Sequence, residues 1–88
     1  MGTVSVIYRV LPQDVETNIE TIMEEIKKAV PSDVTLRGMQ VKDVAFGLKE
    51  VLVAVLMKDE GGKADEVEKK LSTISGVGSV DVLDITLV

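Results

Sequence analysis

Hydrophobic and polar positions alternate with period two through "TVSVIYRVL", residues 3 to 11. Val4, Val6, Tyr8 and Val10 fall on one side, and Ser5, Ile7, Arg9 and Leu11 on the other. That period and the rich β-branching predict a strand, which Pro12 closes. From Thr17 the period changes: Ile19, Ile22, Met23, Ile26 and Val30 recur at three- and four-residue spacing, the stripe of an amphipathic helix. Thr17 with Glu20 reads as a capping box, and Asp14 is a second candidate cap for a slightly longer helix. Acids at the start, Lys27 and Lys28 at the end, and Pro31 as a stop all suit the helix dipole.

"VTLRGMQVKDV", residues 34 to 44, is a second strand, with Gly38 marking a bulge. "LKEVLVAVLMK", residues 48 to 58, becomes apolar on both faces, as a central strand does. "DEGGK" is a turn, and "ADEVEKKLSTI" sets Val67, Leu71 and Ile74 on one face of a second helix, with Gly76 as its C-cap. "SVDVLDITLV" supplies a fourth strand whose register slips near Leu83 and Asp84, through a bulge or a frayed end. The order βαββαβ predicts an α+β, ferredoxin-like sandwich over residues 1–88. Its two helices lie on one face of a four-stranded antiparallel sheet. With Val6, Tyr8, Val10, Val51, Val53 and Val55 under the helices, Ile7, Leu52, Ala54 and Leu56 fall on the open face. Contiguous apolar area there marks an interface or weak self-association.

Composition narrows the function classes. The chain has 88 residues, no cysteine and no histidine, which removes disulfides, thiolate metal sites and the usual general base. No cofactor is expected for folding. Fifteen acidic against ten basic side chains give a net charge of −5, which argues against nucleic-acid binding. Tyr8 and Phe46 are the only aromatics, too few for a base-stacking platform. No apolar run reaches membrane-spanning length and the start lacks a signal pattern, so the expected location is the cytoplasm. The acidic pairs Asp14/Glu16 and Glu24/Glu25 read as solvated surface, Asp59/Glu60 before the glycine turn could hold a cation weakly but lacks the spacing of a calcium loop, and no enzyme active site is visible. The glycine-punctuated "GVGSVDV" leaves a regulatory small-ligand domain, ACT-like and dimeric, as the rival reading; a copper carrier is excluded without CxxC.

"VAFGLKEV", residues 44 to 51, places the one phenylalanine between Ala45 and Gly47 at a loop-to-strand junction. A ring there either folds inward as a lid or is presented as an anchor for another protein, with Lys49 as its charged neighbour.

"AFGLK" at Ala45 to Lys49, the acidic "DVETNIETI" opening the first helix, and "GVGSVDV" before the last strand together resemble the elongation factor 1-beta family. The likeness is greatest to its archaeal form and runs from about Val4 to Asp84. It implies the same βαββαβ fold and a factor that exchanges GDP for GTP on elongation factor 1-alpha. The partner would be met GDP-bound or nucleotide-free. The resemblance also implies that the aromatic of the GFG-like motif, here Phe46, enters a pocket of the GTPase. Gly47 would permit close backbone approach, Ala45 belongs to the same motif, and Lys49 matches a basic position after it. In eukaryotic relatives a lysine near the C-terminus disturbs the magnesium site of the GTPase. Here Leu87 falls at about that place, and no basic residue follows Lys70. Either the disturbance is indirect, or Lys49 or another lysine supplies it.

Overall fold

Val4, Val6, Tyr8 and Val10 are buried while the residues between them are not, so the first strand has one inner face. The structure is a computed structural model and describes residues 2–88. In chain order its elements are β1 (Thr3–Pro12), α1 (Ile19–Ala29), β2 (Thr35–Asp43), β3 (Lys49–Lys58), α2 (Lys63–Ser72) and β4 (Val77–Leu87). The strands form one four-stranded sheet in the order β2-β3-β1-β4, antiparallel throughout. The ferredoxin-like βαββαβ arrangement expected from periodicity is the one found.

The core is the seam between sheet and helices. Val51, Val53, Val55 and Met57 of β3 join the inner residues of β1, and Ile22, Ile26, Val67 and Leu71 come from the helices. Each fully buried aliphatic side chain contributes about 1.5–3 kcal/mol relative to exposure. No charged side chain is buried among the described residues. Tyr8 is the largest core residue, and its hydroxyl donates to the Ala64 carbonyl at 2.8 Å, satisfying the one polar atom it brings inside. On the open face Ile7, Leu52, Ala54 and Leu56 are half-buried, as the alternation required. Arg9 spans the neighbouring strands there, donating to Asp81 at 2.8 Å and lying 3.9 Å from Glu50.

Besides a register shift between Leu11 and Pro12, two bulges interrupt the pairing. One lies between Leu36 and Gly38, at the glycine that marked it in the sequence. The other lies opposite Ile7 and Tyr8, where β4 carries Leu83 as an extra residue. Two terminal details differ from expectation. The α1 cap is Asn18, whose Oδ1 accepts from the amides of Glu20 and Thr21 at 2.9 and 3.3 Å; Thr17 instead donates its hydroxyl to Asp14. The C-cap of α2 is Thr73, so Gly76 is not that cap. With φ at 93°, Gly76 turns the chain into β4, and its carbonyl accepts from Gln13 N at 2.8 Å.

Candidate functional site

The β2–β3 hairpin closes with a turn over Ala45 to Leu48. Val44 N donates to Leu48 O at 2.8 Å, and Leu48 N donates to Ala45 O at 2.9 Å. The two central residues, Phe46 and Gly47, have φ of 53° and 82°. Positive φ at both centres is the signature of a type I′ turn, which matches the right-handed twist of the flanking strands and favours Asn-Gly. Glycine suits its place. Phenylalanine does not: it is the one non-glycine residue at positive φ among those described, and such a backbone costs a bulky residue about 1–3 kcal/mol.

No packing compensates for that cost. Phe46 is 101% exposed, so its ring stands in solvent and contributes nothing to the core. Of the two readings open in the sequence, the inward-folded lid is excluded. Val44 beside it is also exposed, which gives the tip two apolar side chains without cover.

The hairpin tip faces the loop between β1 and α1 across an open cleft of about 360 Å³. Gly47 and Lys49 form one wall; Pro12, Val15, Asn18 and Glu20 are among the residues opposite. Asp14 organises that loop, its Oδ1 accepting from the amide of Glu16 at 3.0 Å and the hydroxyl of Thr17 at 3.1 Å. Lys49 is exposed and has no carboxylate within salt-bridge distance among the described residues. Ala45, Phe46, Gly47 and Lys49 therefore share one end of the molecule. The loop residues facing them, Val15 and Asn18 above all, were not singled out from sequence. Val15 carried the only available signal, an apolar residue set between two acids in a loop.

Gly76 and Gly78 are absorbed by packing. A Cβ on Gly78 would stand 2.9 Å from the Pro12 carbonyl oxygen, and one on Gly76 would meet the Thr17 methyl at 3.0 Å. These glycines bring β4 onto the end of β1, which is a structural task. No group of three or more acidic, histidine or cysteine side chains able to hold a metal occurs among the described residues.

Leu87 lies at the far end of the sheet. Val4 is opposite both Leu87 and Met57, and Lys49 is eight residues before Met57 along β3. At about 3.3 Å per residue, the separation along the strand is roughly 26 Å. Lys49 therefore cannot stand in at the position of Leu87.

Residues 5–88 match the model of the EF-1 guanine nucleotide exchange domain. The chain belongs to the elongation factor 1-beta family. It is 37% identical over 87 residues to elongation factor 1-beta of Thermofilum pendens, covering 98% of this chain and 96% of that one. To the protein of the same name from Methanoculleus marisnigri it is 35% identical over 88 residues, and to that of Thermoplasma acidophilum 31%, covering all of each chain in both cases. Among solved structures, the ACT domain of GTP pyrophosphokinase from Chlorobium tepidum superposes with a TM-score of 0.71 at 19% identity, over 96% of this chain and 90% of that one. At that identity the likeness concerns the fold alone. The ACT-like reading thus rests on a shared architecture, whereas the exchange reading rests on sequence matched from end to end.

Proposed function

We propose that this chain, acting as one exchange domain in the cytoplasm, promotes replacement of GDP by GTP on elongation factor 1-alpha through the tip of its β2–β3 hairpin. The observation that carries the reading is Phe46: a fully exposed ring held on a left-handed backbone that stability alone would not select. Ala45 and Gly47 leave the ring clear on both sides, and Gly47 lets the partner's surface approach the backbone. Lys49 supplies a cation within the same footprint.

The work required is a difference of affinities. A factor that binds the loosened or nucleotide-free GTPase better than the GDP-bound one must, by linkage, weaken GDP binding by the same factor. Tenfold loosening requires about 1.4 kcal/mol of differential binding. Burying one exposed aromatic ring supplies about that much. No covalent bond is made or broken, and GTP follows by mass action. Since Lys49 and Leu87 lie at opposite ends of the sheet, Lys49 would not present a cation from the C-terminal position, and the tip would loosen the nucleotide by displacing GTPase loops.

The test is the release rate of a fluorescent GDP analogue from archaeal elongation factor 1-alpha in excess unlabelled nucleotide. Acceleration by the wild-type chain and its loss in Phe46→Ala, with an unchanged melting temperature, is the expected result. Equal acceleration by both would remove Phe46 from the mechanism, and no acceleration by either would overturn the proposed exchange activity.

A further inference from the structure

Val15 is the apolar residue of an otherwise polar loop, residues 13–18, that joins β1 to α1. Its side chain is 58% exposed and lines the same cleft as Gly47 and Lys49. A single exposed valine is ordinary on a protein surface. Its position, across one cleft from the residue that follows Phe46, is what needs a cause.

The loop holds that valine still. Before it, Gln13 N donates to the Gly76 carbonyl at 2.8 Å. Around it, Asp14 Oδ1 accepts from Glu16 N at 3.0 Å and from the Thr17 hydroxyl at 3.1 Å, an Asx-type turn closed across Val15. After it, Asn18 is fixed as the α1 cap. Valine adds a branched side chain that is stiff at χ1. A group ordered in this way loses little freedom when a partner covers it.

The cleft suits a protein segment better than a small molecule. Small-ligand sites converge a few precisely placed polar groups on an enclosed ligand, and no polar or charged side chain is buried among the described residues. Three of the polar side chains that line this cleft are spent on the loop itself: the Asp14 carboxylate and the Thr17 hydroxyl on each other, and Asn18 on the helix cap. What the cleft offers outward is the methyl surface of Val15 and, from the opposite wall, the ammonium of Lys49, which has no carboxylate within salt-bridge distance among the described residues.

We infer, on the exchange reading above, that Val15 is a second anchor of the chain on elongation factor 1-alpha. The cleft takes a loop of the GTPase that borders the pocket receiving Phe46 and carries an apolar side chain for Val15 and a carboxylate for Lys49. Asp14 is a positioning residue, acting through the turn that presents Val15. One inserted ring leaves rotation about its own axis free; two prongs, the hairpin tip and this loop, fix the orientation in which it enters. Val15 meets the GDP-bound and the loosened partner alike, so it sets affinity, while Phe46 sets the difference between the two states.

Release of a fluorescent GDP analogue from archaeal elongation factor 1-alpha, titrated with increasing amounts of each variant, separates these roles. Val15→Ser should leave the melting temperature unchanged and raise the concentration giving half-maximal acceleration about tenfold, with the maximal rate retained. Phe46→Ala should instead lower the maximal rate. Asp14→Ala should shift the half-maximal concentration as Val15→Ser does, and Asp14→Asn, which keeps the Oδ1 acceptor, should restore the wild-type value. An unchanged half-maximal concentration in folded Val15→Ser, beside a wild-type chain that accelerates release and a Phe46→Ala chain that does not, overturns this inference and leaves the exchange reading standing. No acceleration by the wild-type chain overturns both. An Asp14→Asn chain as impaired as Asp14→Ala removes Asp14 from the positioning role.

Discussion

Tyr8 and Phe46, the two aromatic side chains of this chain, occupy opposite extremes: the first is 0% exposed and the second 101%. The polar ring is the centre of the core, and the apolar ring stands in water. Tyr8 can be buried because its hydroxyl reaches the Ala64 carbonyl. Phe46 has no structural partner, and the backbone beneath it is strained.

That strain can be relieved by substitution. Asn at position 46 suits the left-handed conformation, so Phe46→Asn is expected to raise stability by about 1 kcal/mol in urea denaturation. The same variant should lose at least tenfold in GDP release. A variant at once more stable and less active would separate the ring's function from the fold.

Two glycines provide a matched comparison. A Cβ at Gly78 meets the Pro12 backbone, which cannot swing aside as a side chain would, so Gly78→Ala should cost about 1–3 kcal/mol. Gly38 has nothing within 4 Å of such an atom, and Gly38→Ala should be neutral or stabilising by about 0.5 kcal/mol. Thermal melts of the two variants under one buffer decide the matter.

Alkaline pH should act through Tyr8. Burial first, then the carboxylates of Glu68 and Asp65, push its phenol from 10.0 up to about 12. The folded state thus holds the proton more tightly than the unfolded one. This stabilisation is fully present below pH 10 and is lost as pH rises through about 12. Tyr8→Phe should lose about 1 kcal/mol at neutral pH with the hydrogen bond to Ala64, yet show a shallower alkaline decline. Urea midpoints against pH for the two proteins, whose lysines are identical, isolate the effect.

The start of α1 tests a finer point. Asn18→Ala should cost about 1 kcal/mol, because two amides lose their acceptor. Thr17→Ala should cost less, since its hydroxyl bonds only to Asp14. Comparable losses would restore Thr17 to a capping role.

The capping pair shows where sequence was legible and where it was not. Strand and helix periods identified the inner residues of β1, β3, α1 and α2, because burial on one face leaves a pattern that spacing alone reveals. Gly38 marked its bulge for a similar reason. Thr17 and Asn18 are both competent caps, and choosing between neighbours depends on where the loop from Pro12 delivers the chain. Gly76 likewise sits late enough to be mistaken for a helix end, although its positive φ serves the strand that follows. The exposure of Phe46 could not be read from period, since one aromatic in a turn has no partner position to compare. The cleft beside it joins segments about thirty residues apart in sequence, Pro12 to Glu20 and Gly47 to Lys49, which only the folded sheet brings together.

The central position of β1 has a kinetic consequence. Its neighbours are β3 and β4, so β1 completes its pairing only with the last strand in chain order. The β2–β3 hairpin, closed by the short turn that carries Phe46, is local and can form on the microsecond scale. Joining β1 to β4 must close a loop of nearly the whole chain, the entropically expensive step that slows folding. The segment presenting Phe46 is therefore built by the fastest pairing in the sheet, while the β4 edge is built by the slowest. Damage to β4 should accordingly delay folding and leave nascent hairpins intact.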